Sequence, residues 1–310
     1  HNITATAANA ATLTYPSSFG IRDADVMLEG LQINGITLSN NYPSVVMLDS
    51  LVNKHTRFWA KDCILTLKGS TTNVLDCNAF SIHGLGSGSW CILQNCIAYD
   101  LFCGNAMGRG MHEYLNNLSL IHMNNVTFYN MRQGIAASAS SDVLVRNSIA
   151  QGITYRGWYG ANLDSDYNLT NLAETPNTVN NRGVHSKASQ TVLFADPTAT
   201  PRDLRLLAAD TAARNAGFPQ SAYGYSTDFV GVTRVPPWDM GAYETAGLNQ
   251  SITGVGGTYG LNGAAAGTYL GRKTTAVSGA YLLTGAGVGL VIAASTTLGS
   301  TYYTRLLAGG

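Results

Sequence analysis

The side chains best suited to chemistry fall in a few short clusters. Arg109, His112 and Glu113 stand close together in the run Arg-Gly-Met-His-Glu. A guanidinium, an imidazole and a carboxylate at that spacing could hold an anion and move a proton. The second histidine of a His-Glu-x-x-His motif is missing, so the set is not a metal site. Lys54, His55 and Arg57 make a comparable basic group. For both clusters, solvated charge on a projecting loop is the competing expectation. Tyr155, Arg156, Trp158 and Tyr159 form the most binding-like stretch. Aromatics with an arginine on an exposed turn suit stacking against sugar rings or a protein surface, although the same loop could simply pack over the core. Asp164 and Asp166 read as turn carboxylates that bond local backbone.

The elements that must position these residues repeat. The segment 143–150, Val-Leu-Val-Arg-Asn-Ser-Ile-Ala, reads as two short strands meeting at an asparagine corner. Copies occur at 58–65, 91–98 and 120–127, with a fainter one at 26–33 and a later one at 164–169. Aligned on the corner they fall at Gly30, Asp62, Asn95, Asn125, Asn147 and Asn168, in steps of 32, 33, 30, 22 and 21 residues. A bend this sharp needs a residue in the left-handed α region, which Gly, Asn and Asp reach at least cost. The corner side chains, stacked roughly 4.8 Å apart, could also hydrogen-bond along the column. Asp62, Asn95, Asn125, Asn147 and Asn168 are therefore assigned to structure and not to catalysis. Periods of this length in a β-rich, helix-poor chain predict an all-β fold, a parallel β-helix solenoid. The longer early circuits should carry their extra residues as projections at 40–55, 68–78 and 101–117.

Composition narrows the function classes. The 310 residues carry 18 basic and 18 acidic side chains, and only 12% are charged. No basic stripe with interleaved aromatics is present, so nucleic acid is not an expected partner. The five cysteines, Cys63, Cys77, Cys91, Cys96 and Cys103, lack paired spacing and read as core thiols, with Cys63 and Cys96 stacked on consecutive circuits. Segment 279–299 is uncharged and long enough to span a bilayer, but its Gly, Ser and Thr content and internal repeat argue against a membrane span. The chain starts at His1 without a signal peptide, as a fragment or a processed chain would.

Further along, Asp203-Leu-Arg-Leu-Leu, Arg214-Asn-Ala-Gly, Asp228-Phe-Val-Gly-Val-Thr-Arg234 and Asp239-Met-Gly-Ala-Tyr-Glu244 follow one another. In that order they resemble the C-terminal end of right-handed, pectate-lyase-like β-helix proteins. Asp-Thr-Ala at 210–212 replaces the usual Ser-Pro-Ala, and Val235 intervenes before the proline. The resemblance covers about 23–245 and implies a right-handed solenoid. It says little about activity, because the family includes lyases, adhesins and phage proteins. Physically, the closing motif suits an end cap over exposed strand edges, with Arg234, Asp239 and Glu244 as an ion-paired clasp.

Residues 246–310 differ in kind: they contain no Asp or Glu, and their charges are Arg272, Lys273 and Arg305. Gly-Thr-Tyr-Gly-Leu-Asn-Gly at 257–263 returns 22 residues later as Gly-Ala-Tyr-Leu-Leu-Thr-Gly, with a weaker third copy at 300–303. This Gly-x-Tyr-x-Leu-Thr-Gly pattern resembles short repeats in structural proteins of tailed bacteriophages. The expected organisation is an opening coil or cap at 1–22, β-helix coils at 23–189, final strands and a C-terminal cap at 190–245, and a Gly/Ala/Thr-rich, Gly/Tyr/Leu-patterned β-repeat tail at 246–310. The resemblances together imply a fibre, spike or capsid-surface protein at a virion surface or outside the cell, homo-oligomeric (a trimer is one form) or joined to other virion proteins through the tail. Contact with a host glycan, receptor or cell-surface polysaccharide fits that setting; no cofactor and no metal are expected. The alternatives are a polysaccharide lyase or hydrolase on the same scaffold, and a secreted bacterial adhesin or filament subunit.

Overall fold

The computed structural model describes residues 2–4, 11–15, 19–36, 44–49, 55–68, 76–83, 88–101, 107–114, 120–137, 142–162, 164–173 and 183–245, and four short strands beyond 250. The chain divides into two compact units, His1–Thr245 and Ala246–Gly310.

In the first unit strands come in sets. The first set is β1 (Asn2–Thr4), β2 (Ala11–Tyr15) and β3 (Phe19–Arg22); the second is β4 (Asp25–Glu29), β5 (Leu31–Ile36) and β6 (Ser44–Asp49). β7 (Arg57–Lys61), β8 (Ile64–Lys68) and β9 (Asp76–His83) make the third, and β10 (Trp90–Gln94), β11 (Ile97–Leu101) and β12 (Met107–Glu113) the fourth. β13 (Leu120–Asn124) with the ten-residue β14 (Thr127–Ala136), then β15 (Asp142–Arg146) with the eleven-residue β16 (Ile149–Tyr159), complete the run before the two-residue β17 (Leu169–Thr170). Strands holding the same place in successive sets pair in parallel, giving three ladders: β1-β4-β7-β10-β13-β15, β2-β5-β8-β11-β14-β16-β17, and β3-β6-β9-β12-β14-β16. The first unit is thus nearly all β, with parallel, curled sheets.

Alternation builds the core. Along the first ladder Phe58, Cys91, Ile121 and Val143 lie in register, as do Ala60, Leu93, Met123 and Val145. All eight are fully buried, as strands with one face on a core require. The drop in period after Asn125 has a simple cause. β14 and β16 run without interruption through the second and third ladders, where the preceding circuit needs β11, residues 102–106 and β12. Two of the expected projections are corrected: 40–55 contains β6 and 101–117 contains β12, because the extra residues of these sets build a third ladder; most of the rest of these segments, and most of 68–78, lie outside the described residues.

Five of the six corners are as read: Gly30 (φ 68), Asp62 (53), Asn95 (50), Asn125 (55) and Asn147 (52) all adopt the left-handed conformation. The sixth is off by one. Tyr167 (φ 57) makes that bend, and Asn168 follows it. The Tyr167 ring is stacked on His185, centroids 4.4 Å apart, and tilted against Phe218 at 5.4 Å. Those contacts offset the cost of a left-handed tyrosine. Asn168 instead accepts from the Ser148 amide at 3.1 Å and donates to the Val145 carbonyl at 2.8 Å. A second left-handed column, Asp100 (φ 58), Asn130 (53) and Gly152 (68), stands five residues beyond Asn95, Asn125 and Asn147. Asn130 Nδ2 donates to Asp100 Oδ1 at 2.6 Å, the ladder bond expected of stacked Asx residues.

Residues 190–245 do not form the expected end cover. They lie along the side of the ladders. Ile64, Ile97, Tyr99, Ile149 and Leu169 form one buried cluster with Val192, Phe194, Leu204, Leu206, Phe229 and Met240. Asn95 Nδ2 donates to the Thr227 carbonyl at 2.9 Å. Asn147 clasps Phe218 from both sides, accepting its amide at 2.8 Å and donating to its carbonyl at 2.7 Å. The physical reason is the second ladder's composition: β8 and β11 carry apolar side chains on both faces, so a segment must cover the outer one. This strap contains the antiparallel pair β18 (Phe194–Asp196) and β19 (Asp203–Leu206). The stretch 208–213 is a turn organised by Asp210, whose carboxylate accepts from the amides of Leu193, Ala213 and Arg214.

Cys63, Cys91 and Cys96 are buried free thiols, and Cys63 and Cys96 donate to the carbonyls of Leu28 and Ala60, each one circuit earlier. Cys77 departs from that reading: it is disulfide-bonded, with its partner outside the described residues. In the second unit β20 (Thr253–Gly254) pairs with β22 (Thr275–Ala276) and β21 (Tyr259–Asn262) with β23 (Tyr281–Thr284), all parallel. Tyr259 faces Tyr281, so the sequence repeat of 22 is also the hydrogen-bonding register. The weaker copy at 300–303 lies outside the described residues. Among the described residues no helix is long and apolar enough to cross a membrane.

Candidate functional site

Arg109, His112 and Glu113 stand on β12, in the third ladder, where a projecting loop was expected. Arg109 and Glu113 are buried. Arg109 is in register with Asn78 and Gln133 on the neighbouring strands. Its Nε donates to Gln133 Oε1 at 2.6 Å and its Nη1 to His112 Nδ1 at 2.9 Å. With Nδ1 accepting, the His112 proton sits on Nε2. The His112 ring leans on Tyr114 (3.7 Å), which stacks on His83 (4.3 Å) and receives a bond from Asn78 Nδ2 at 3.3 Å. Burial first, then the charges of Arg109 and His83, push the His112 pKa down to about 3. A neutral imidazole, whose one N–H is far too weakly acidic to give up near neutrality, is a poor general acid, and one so weakly basic is a poor general base. The cluster braces adjacent strands through its hydrogen bonds. Loop composition alone could not show this, because Arg-Gly-Met-His-Glu has no clean alternation.

Tyr155, Arg156, Trp158 and Tyr159 also lie on a strand, the far half of β16. They separate by role. Trp158 is fully buried, 6.1 Å from the Phe128 ring, and belongs to the core. Tyr155 is 36% exposed. Between Met131/Ile153 and Gln133/Arg156 the register slips, because β16 has one residue more than β14. Such a bulge re-aims the side chains beside it. Arg156 Cζ lies 4.6 Å from the Tyr155 centroid and 4.0 Å from that of Tyr159. Arg132, which sequence reasoning did not single out, sits 4.9 Å from the same Tyr155 ring. The missed signal was the cross-strand register that brings 132 beside 155. The site thus holds two guanidiniums and two phenol rings. Neither β14 nor β16 contains an Asp or Glu.

The strap carries the third set. Arg234 and Glu244 are an ion pair, Nη1 to Oε2 at 3.1 Å, with side chains 0% and 4% exposed. Arg234 also donates to Asn95 Oδ1 and to the carbonyls of Asp239, Gly241 and Ala242. Asp239 plays a different part: its carboxylate accepts from the amides of Asn215 at 2.7 Å and Thr245 at 2.6 Å. Burial, then the Asp239 charge, push the Glu244 carboxyl up to about 7, with Arg234 holding it back. The clasp therefore fastens the strap to the corner column through Asn95.

Asp166 bonds local backbone, accepting the Tyr167 amide at 2.8 Å, and also receives His185 Nδ1 at 2.7 Å. Arg57 lies on β7, 3.5 Å from Asp25, both exposed; Lys54 is outside the described residues. Among the described residues no three His, Cys, Asp or Glu side chains are grouped to hold a metal ion. No protein-family model matches the chain, and no curated protein matches it in sequence.

Proposed function

We propose that His1–Thr245 is a right-handed parallel β-helix serving as a stiff structural element at the surface of a tailed-bacteriophage particle, as a fibre, spike or capsid-surface component. The observation that carries the reading is the shared logic of the two units. In each, a sequence repeat coincides with the register of a parallel ladder, at 32, 33, 30 and 22 residues in the first and 22 in the second. Stacks of this kind resist bending and proteolysis, because every interior strand is paired on both edges. The short strands of Ala246–Gly310 have little apolar material of their own, and pairing with another chain or with other virion proteins would complete them.

The test is twofold. Sedimentation and electron microscopy of the full chain should give an elongated oligomer, and antibody labelling should place it on particles. A stable compact monomer absent from particles would overturn the proposal. Release of reducing or unsaturated ends from acidic or neutral polysaccharides, with or without calcium, would replace it with the enzyme reading.

A further inference from the structure

We propose that Arg132 and Arg156 form an oxyanion-binding site around Tyr155, beside the bulge where β14 and β16 pair, taking a carboxylate, sulfate or phosphate group. The site needs only those two strands in place and does not depend on what the whole chain builds. The Arg156 guanidinium contacts both the Tyr155 and Tyr159 rings, with Cζ 4.6 and 4.0 Å from their centroids, which restrains it without a hydrogen bond to its terminal nitrogens. Its Nε is buried and has no hydrogen-bond partner. Among the described residues, no carboxylate pairs with Arg156 or Arg132, although Arg57, Arg202, Arg205, Arg214 and Arg234 all engage Asp, Glu or carbonyl oxygens.

Two cations share the single ring of Tyr155, at 4.9 and 4.6 Å. That crowding raises the local potential with no acidic residue on either strand to lower it. A planar fork held rigid by aromatic stacking loses little further freedom when it takes two oxygens side by side. The second guanidinium supplies the charge that distinguishes an oxyanion from a neutral hydroxyl pair. The bulge that gives β16 its extra residue sets this half of the strand out of step with β14, and Tyr155, the ring both cations approach, is partly exposed. A free inorganic ion and an acidic group on a sugar share this chemistry, and the probes below separate them.

The experiment follows the arginine Nε–Hε signals of the full chain by NMR during titration with sodium sulfate, sodium phosphate, sodium glucuronate and glucose, against sodium chloride at equal ionic strength. Saturable shifts of Arg156 and Arg132 with the oxyanions, and none with glucose or chloride, are expected. R132Q should weaken binding at least about tenfold, the loss of one charge-assisted contact. R156K, which keeps the charge and removes the fork, should weaken it by a similar factor. Glucuronate binding more tightly than sulfate would assign the site to an acidic sugar; the reverse order would assign it to a free ion. Shifts that chloride reproduces, or R156K binding as the parent does, would overturn the proposal. Because the parent titration needs no variant, misfolding of a mutant cannot leave the question open.

Discussion

Replacing Arg234 by methionine probes the strap most directly, and the outcome should depend on pH. Arg234 reaches Glu244, Asn95 and the carbonyls of Asp239, Gly241 and Ala242 from a fully buried position. Near pH 8, above the Glu244 value of about 7, the substitution strips a buried carboxylate of its cation. Removing one partner of a buried pair costs about 3–5 kcal/mol. Near pH 5 the carboxyl is already protonated, so the ion-pair part of that cost is absent, and only the lost bonds to Asn95 and the carbonyls, about 1–3 kcal/mol for each acceptor left unpaired and common to both pH values, remain. Urea unfolding followed by tryptophan fluorescence reads this, since Trp238 is buried and its ring centroid is 5.6 Å from Arg234 Cζ. W238F in the same background identifies the reporting residue. An R234M penalty that is equal at the two pH values, or larger in acid, would refute the assignment of Glu244 as the guanidinium's titrating partner.

The parent protein should itself show linkage at Glu244. Its folded value of about 7 exceeds the ordinary 4.5, so its contribution is fully present below about 4.5 and is lost as pH rises through 7; E244Q should flatten that part of the stability profile. At Asn147, glycine keeps the left-handed bend (φ 52) and loses only the two bonds to Phe218, whereas alanine loses those bonds and also strains the bend. N147A should therefore unfold at lower urea than N147G by about 1 kcal/mol, and equal midpoints would count against a strained corner. At Gly134 an added Cβ would meet the Gly157 carbonyl oxygen at 2.4 Å. G134A should cost about 1–3 kcal/mol by thermal melting; an unchanged midpoint would show that β14 and β16 can separate.

Much of the first ladder was legible because its signal is local. A left-handed corner admits few residue types, and Asp62, Asn95, Asn125 and Asn147 declare it in one dimension. Asp100, Asn130 and Gly152 carried the same signal at a constant offset of five, yet lie inside strands, where a corner is not sought. Tyr167 escaped for the opposite reason: its type argues against the bend, and His185 and Phe218 supply what its backbone lacks. The candidate site was half visible. Tyr155, Arg156 and Tyr159 could be named as aromatics around a cation, but Trp158 belongs to the core and Arg132 arrives from another strand.

Sequence alone determined the all-β character, the spacing of the first-ladder strands and the register of the repeat beyond 246, since each depends on residue type at a fixed interval. The tertiary structure decided that 190–245 lies along the ladders and not across their end, that Arg109 and Glu113 are buried on a strand, and that two arginines share one tyrosine. Those outcomes depend on which faces remain apolar once the strands are stacked, and that is settled by contacts between residues up to 139 positions apart, as Arg234 and Asn95 are.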